Sequence, residues 1–149
     1  MDVELFIDGT PRPAGSKRAF LGQRKDGSHF ANVVDDCKTS AGWKADVREA
    51  FRRRYQGEPT KEPVRLDIVF TLPRPKSHFR TGRHADKLRD DAPTTHTSKP
   101  DRGKLLRAVE DALTGVAWVD DAQVCAGEVS KVYGKRVGVW IMLKTIATR

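Results

Sequence analysis

The chain has 149 residues, is 38% hydrophobic and 32% charged, and carries a formal net charge of +8. That length suits one domain with its own core, and the composition excludes a disordered chain. No run of about 18 apolar residues occurs, which excludes a membrane-spanning helix, and the excess charge points to a polyanionic partner, nucleic acid before an anionic membrane surface.

Val3, Leu5 and Ile7 alternate with Glu4 and Phe6 before Asp8 and Gly9, predicting a strand and a turn rather than a signal peptide. Residues 10–32 read as a loop rich in Pro, Gly and basic residues. Within it Gly15, Ser16, Lys17 and Arg18 combine small residues with two cations suited to phosphate, and a solvated loop explains the same letters equally well. Thr39 or Ser40 is placed to cap a helix running to about Tyr55. Trp43, Val47, Ala50 and Phe51 share one face of it, with Arg48 and Arg52 to Arg54 on others.

Val64, Leu66, Ile68, Phe70 and Leu72 alternate with Arg65, Asp67 and Thr71, predicting a half-buried strand closed by Pro73. Residues 73–98 show no period and form a long basic loop. His78, His84 and His96 match no metal-ligand spacing, which favours phosphate contact or solvation. A second helix is predicted over 103–113, with Leu105, Val109, Ala112 and Val116 inward, Leu106 and Leu113 widening the stripe, and Gly115 ending it. A strand follows over 123–133, then a hairpin at Gly134. Val137, Val139, Ile141 and Leu143 make a last strand, apolar on both faces and so central. The expected class is α+β: a mostly antiparallel or mixed sheet with two helices packed on it. Cys37 and Cys125 form no metal spacing; they read as apolar filler in a reducing cytoplasm.

The unusual stretch is KPDRGKLLRAVEDALTGVAWVDDAQV, residues 99–124, which gathers Asp101, Asp111, Asp120 and Asp121 in a basic chain. Crowded carboxylates need a cation or solvent. If chain reversal returns Asp121 to Asp101, their hard oxygens suit Mg²⁺ or Mn²⁺, which activates water against a phosphodiester. The plainer reading is capping by Asp101 and turn chemistry at Asp120 and Asp121. Lys104, Arg107 and Asp111 share a polar helix face. Either Arg107 pairs with Asp111, or Lys104 or Arg107 stands over the scissile phosphate.

These residues resemble the RusA family of Holliday junction resolvases, common in phages and prophages. The family pattern runs K-P-D-x-D-[NK]-L-x-[KR]-A-x-x-D-A-L-x-G-x-x-x-x-D-D-A-Q-V. This chain matches it at Lys99, Pro100, Asp101, Leu105, Arg107, Ala108, Asp111, Ala112, Leu113, Gly115 and residues 120–124. FIDGTPRPAGSKR, PRPKSHFRTG and KVYGKRVGV add weaker similarity. The resemblance implies a homodimeric endonuclease of DNA recombination and repair that makes paired nicks in four-way DNA junctions with Mg²⁺ or Mn²⁺. It implies essential acids at Asp101, at position 103 and at Asp121, with Asp120 beside the metal and Arg107 as the basic residue on the helix. Lys17, Arg18, Arg74, Lys76, Arg80, Lys99 and Arg102 are the expected contacts to the DNA backbone.

Position 103 departs from the pattern: Gly103 stands where the family has aspartate, and Arg102 adds a cation beside it. Metal affinity should fall, unless Asp120 or Glu128 compensates. Three readings follow. The first is a junction nuclease, with its cleavage either intact or impaired. The second is a protein that binds junctions with little or no cutting, which Gly103 favours. The third, a basic RNA-associated protein, explains the charge but not the acids.

Overall fold

A computed structural model describes residues 1–15, 17–35 and 39–148, with residues 17–20 and 31–35 as backbone alone. In chain order the elements are β1 (Asp2–Asp8), β2 (Lys17–Gln23), β3 (His29–Asp35), α1 (Ser40–Arg54), β4 (Val64–Leu72), α2 (Arg102–Leu113), β5 (Val124–Ala126), β6 (Val129–Tyr133) and β7 (Gly138–Thr145). Short helical turns lie at Lys76–His78, Gly82–His84 and Asp121–Gln123. Among the described residues no helix is long and apolar enough to cross a membrane.

The fold is α+β. The main sheet runs β1, β7, β4, with β5 and then β6 along the far edge of β4. β7 is antiparallel to both β1 and β4, while β5 and β6 run parallel to β4. Parallel neighbours need a long crossover, and residues 73–123 with α2 supply it. Alternation gives β4 and β7 a core face of Leu66, Ile68, Phe70, Val139, Ile141 and Leu143. Trp43, Val47 and Phe51 of α1 and Leu105, Ala108, Val109 and Ala112 of α2 close over that face. Lys44 with Asp111 at 3.2 Å, and Arg48 Nε donating to the Ala112 carbonyl at 3.1 Å, tie the helices together. Asp111 thus pairs between the helices and not with Arg107, as one of the two readings of that polar face had it.

Four expectations are corrected. Residues 10–32 are not one loop, because β2 and β3 form a separate antiparallel hairpin. Its turn holds Gly27 at φ 87° and the Ser28 amide on the Asp26 carboxylate at 2.9 Å. Among the described residues these strands pair only with each other, and Leu21 is exposed. The strand predicted over 123–133 divides at Gly127, where φ is 144° and an added Cβ would lie 1.8 Å from the Leu66 carbonyl oxygen. Only glycine permits that approach to β4. No hairpin joins β6 to β7, since they flank β4 on opposite sides and Gly134 passes the end of β4 with its amide on the Leu72 carbonyl. Cys125 is exposed rather than filler, and Cys37 lies outside the described residues.

Candidate functional site

The start of α2 is fixed by β6. The Tyr133 amide donates to the Thr94 carbonyl at 2.9 Å and the His96 amide to the Lys131 carbonyl at 3.1 Å, so residues 94–96 cover the outer edge of β6. Next, Lys131 Nζ donates to the carbonyls of Ser98 and Pro100, each at 2.8 Å. The bond between Lys99 and Pro100 is cis. Asp101 then caps α2 by position alone, for its side chain makes no cap hydrogen bond. The exposed carboxylate faces a cleft of about 580 Å³ shared with Thr10, Arg12, Leu72, His96, Lys99 and Lys104. An added Cβ on Gly103 meets nothing within 4 Å, so an aspartate there has room.

His96, which lines the cleft, belongs to a cluster around Tyr133. The His96 and His78 rings each lie 4.7 Å from Tyr133, and the Arg74 guanidinium sits 5.4 Å over the same ring. His96 is 7% exposed and its Nδ1 has no hydrogen-bond partner. Burial first, and then the charge of Lys131, hold its pKa below the ordinary histidine value. The solvated role expected for this histidine is therefore corrected. His84 remains at an exposed turn.

The remaining acids gather at the other end of α2. Asp120 accepts the Ala122 amide at 2.8 Å, completing a capping box with Gln123. The Gln123 side chain accepts from the amides of Val119 and Asp120 and donates to the carbonyls of Thr60 and Glu62. Those carbonyls precede β4, whereas the cleft of Asp101 lies past its end at Leu72 and Pro73. The return of Asp121 to Asp101 expected from sequence is therefore not made. Asp121 instead acts on Glu110. Burial first, then Asp121 and Asp111, raise the Glu110 pKa. Glu110 was missed because its position, one after buried Val109, reads as the helix's polar side. Glu128 is also uninvolved at the cleft, as its amide donates to buried Asp67 at 2.9 Å.

The expected DNA-binding cations differ in freedom. Arg74 turns inward, Nη1 donating to the Pro93 carbonyl at 2.6 Å. Arg80 pairs with Asp90 at 3.0 Å and Arg89 with Asp91 at 3.1 Å. Lys76, Lys99 and Arg107 are exposed, and Lys104 lines the cleft. Arg102 reaches only the Val129 carbonyl, at 3.5 Å. The side chains of Lys17 and Arg18, and all of Ser16, lie outside the described residues. Arg83 and Lys87, exposed on the fold-back of residues 78–89, were not singled out; their signal was only their charge in a long loop.

A family model for the endodeoxyribonuclease RusA matches residues 10–144. The chain belongs to the RusA family. It is also 31% identical over 85 residues to the uncharacterized protein YqaN of Bacillus subtilis strain 168, covering 57% of this chain and 59% of that relative. The match thus spans a little over half of YqaN.

Among the described residues no group of three or more His, Cys, Asp or Glu is placed to hold a metal ion. The donor chemistry at Asp101 nevertheless fits a hard dication. Its carboxylate is exposed and not engaged in capping. Position 103, two residues on, is open to an added side chain. Mg²⁺ is commonly held by one or two carboxylates, completed by substrate phosphate oxygens and water.

Proposed function

We propose that this protein is a structure-selective endonuclease of four-way DNA junctions, working as a homodimer with Mg²⁺ or Mn²⁺. The observation that carries the reading is the RusA family match over residues 10–144. Two cuts related by a two-fold axis are the natural product of a symmetric dimer on a branched substrate.

Asp101 would hold the ion, which when bound supplies an activated water and charge neutralisation at the phosphate. The chain's own residues bring and orient the DNA. Lys104 in the cleft and Lys99 at its rim attract backbone phosphate, and Arg107, one turn from Gly103, presents a cation on the exposed side of α2. Lys76, Arg83 and Lys87 extend the basic surface along residues 73–98. Phosphate contacts position a duplex arm without reading its bases, so selectivity rests on junction shape. The test is competition binding at several salt concentrations. Four-way junctions should bind more tightly than linear duplex of equal length, with affinity falling steeply as salt rises. Equal affinity for the two forms would defeat the reading.

Gly103 favours a second reading, in which the chain binds junctions and cuts them little or not at all. One carboxylate among the cations Arg12, Lys99 and Lys104 holds a dication weakly until phosphate joins it. Comparing the chain with its Gly103→Asp variant separates the readings: equal cutting removes the second, and cutting by the variant alone supports it.

A further inference from the structure

Lys131 lies on β6 opposite Phe70 of β4, in a run where Val129 and Tyr133 share its side of the strand. That is an odd place for an ammonium. A half-buried charge persists only where acceptors replace the water it loses. Here the acceptors are the carbonyls of Ser98 and Pro100, each 2.8 Å from Nζ. They bracket Lys99, and Pro100 immediately precedes Asp101. The Lys131 backbone holds the same segment from the other side, its carbonyl accepting the His96 amide at 3.1 Å. One strand residue therefore grips the approach to α2 at three points, from residue 96 to residue 100.

We propose that Lys131 is a positioning residue: its ammonium fixes the entry to α2 and so sets where Asp101 faces the cleft. It does not touch DNA. An inward ammonium bound to two carbonyls has little reach toward a phosphate, unlike Lys99 and Lys104 on the cleft itself. Burial first, and then the charge of Lys131, lower the pKa of its neighbour His96, which lines the same cleft. The functional meaning rests on the nuclease reading, while the positioning itself does not.

The test compares the unaltered chain with Lys131→Met, which keeps the stem and removes the donors, and Lys131→Arg, which keeps charge and donors. Hydrogen exchange is followed in peptides covering residues 94–106 and in peptides from β4 and β7. The Met variant should exchange about tenfold faster in the first set alone, with much of the protection recovered in the Arg variant. Its junction binding should keep the salt slope of the unaltered chain. Unchanged exchange at 94–106, or equal acceleration in β4 and β7, would overturn the proposal. So would a slope shallower by about one, the mark of a lost phosphate contact. If Lys131→Met does not fold, the ammonium protons of the unaltered chain serve instead. Slow solvent exchange supports the clamp, and exchange as fast as that of a surface lysine overturns it. Should the unaltered chain fail to prefer junctions, the nuclease reading falls while the exchange result stands.

Discussion

The two ends of α2 differ in how their polar groups are used. At the C-terminal end nearly everything is engaged internally. Thr114 Oγ1 donates to the Glu110 carbonyl at 2.8 Å and accepts from Trp118 Nε1 at 3.1 Å. The Gly115 amide meets the Trp118 carbonyl, Asp120 caps the next turn, and the Gln123 amide group makes four hydrogen bonds. At the N-terminal end Asp101 leaves its capping capacity unused, Lys99 is exposed, and His96 Nδ1 is unpartnered. A single sequence motif thus serves two purposes. Its DDAQV end contains the pieces that lock the helix to the start of β4, and its KPD end presents chemistry to a cleft.

The largest expected effect tests the locked end. Trp118 is fully buried, so Trp118→Ala should cost about 3–5 kcal/mol in denaturant unfolding. Gln123→Ala removes four hydrogen bonds in one step and should cost about 1–3 kcal/mol, because the Asp120 amide and the Glu62 carbonyl lose their partner while the Val119 amide and Thr60 carbonyl keep only each other, at 3.2 Å. If both were near neutral, the contrast between the ends would fail. The open end should behave oppositely. Asp101→Ala and Lys99→Ala should each change stability by less than about 0.5 kcal/mol while weakening cleavage or junction binding.

Titration gives a finer contrast. His96 has a folded pKa below its unfolded value, so its contribution to stability is present above the unfolded pKa and is lost as pH falls through that value toward the folded one. Glu110 has a folded pKa above its unfolded value, so stability is lost as pH rises through the carboxylate range. Glu110→Gln should therefore stabilise the protein at neutral pH, with the gain fading in acid. Urea titrations of the original chain, of Glu110→Gln and of His96→Gln across pH read both signs, and a Glu110→Gln chain less stable than the original at neutral pH would contradict the acid crowding.

Much of the fold was legible because burial leaves a period. α1, β4, α2 and β7 carry apolar stripes over eight residues or more, and their bounds follow from them. The β2 and β3 hairpin carries no alternating apolar stripe in its letters to announce it. The division of β5 from β6 depends on how closely Gly127 passes Leu66, a tertiary distance invisible in the string. The same limit applies to the site. Asp101 and Gly103 were found by pattern, but the side of β4 on which Asp121 lands depends on the crossover, not on spacing. Lys131 left one faint signal, a lysine at a core-facing strand position between Val129 and Tyr133. What it holds could be known only from the carbonyls opposite.

The most direct measurement is paired nicking of four-way junctions in Mn²⁺ by the chain and by Gly103→Asp. The substitution should leave stability within about 1 kcal/mol, since the added Cβ enters open space on the first turn of an exposed helix end. The account predicts that Gly103→Asp makes symmetric paired nicks at least about tenfold faster than the unaltered chain, as expected when a second carboxylate joins Asp101. If neither protein nicks junctions and neither prefers them to linear duplex, the account is wrong.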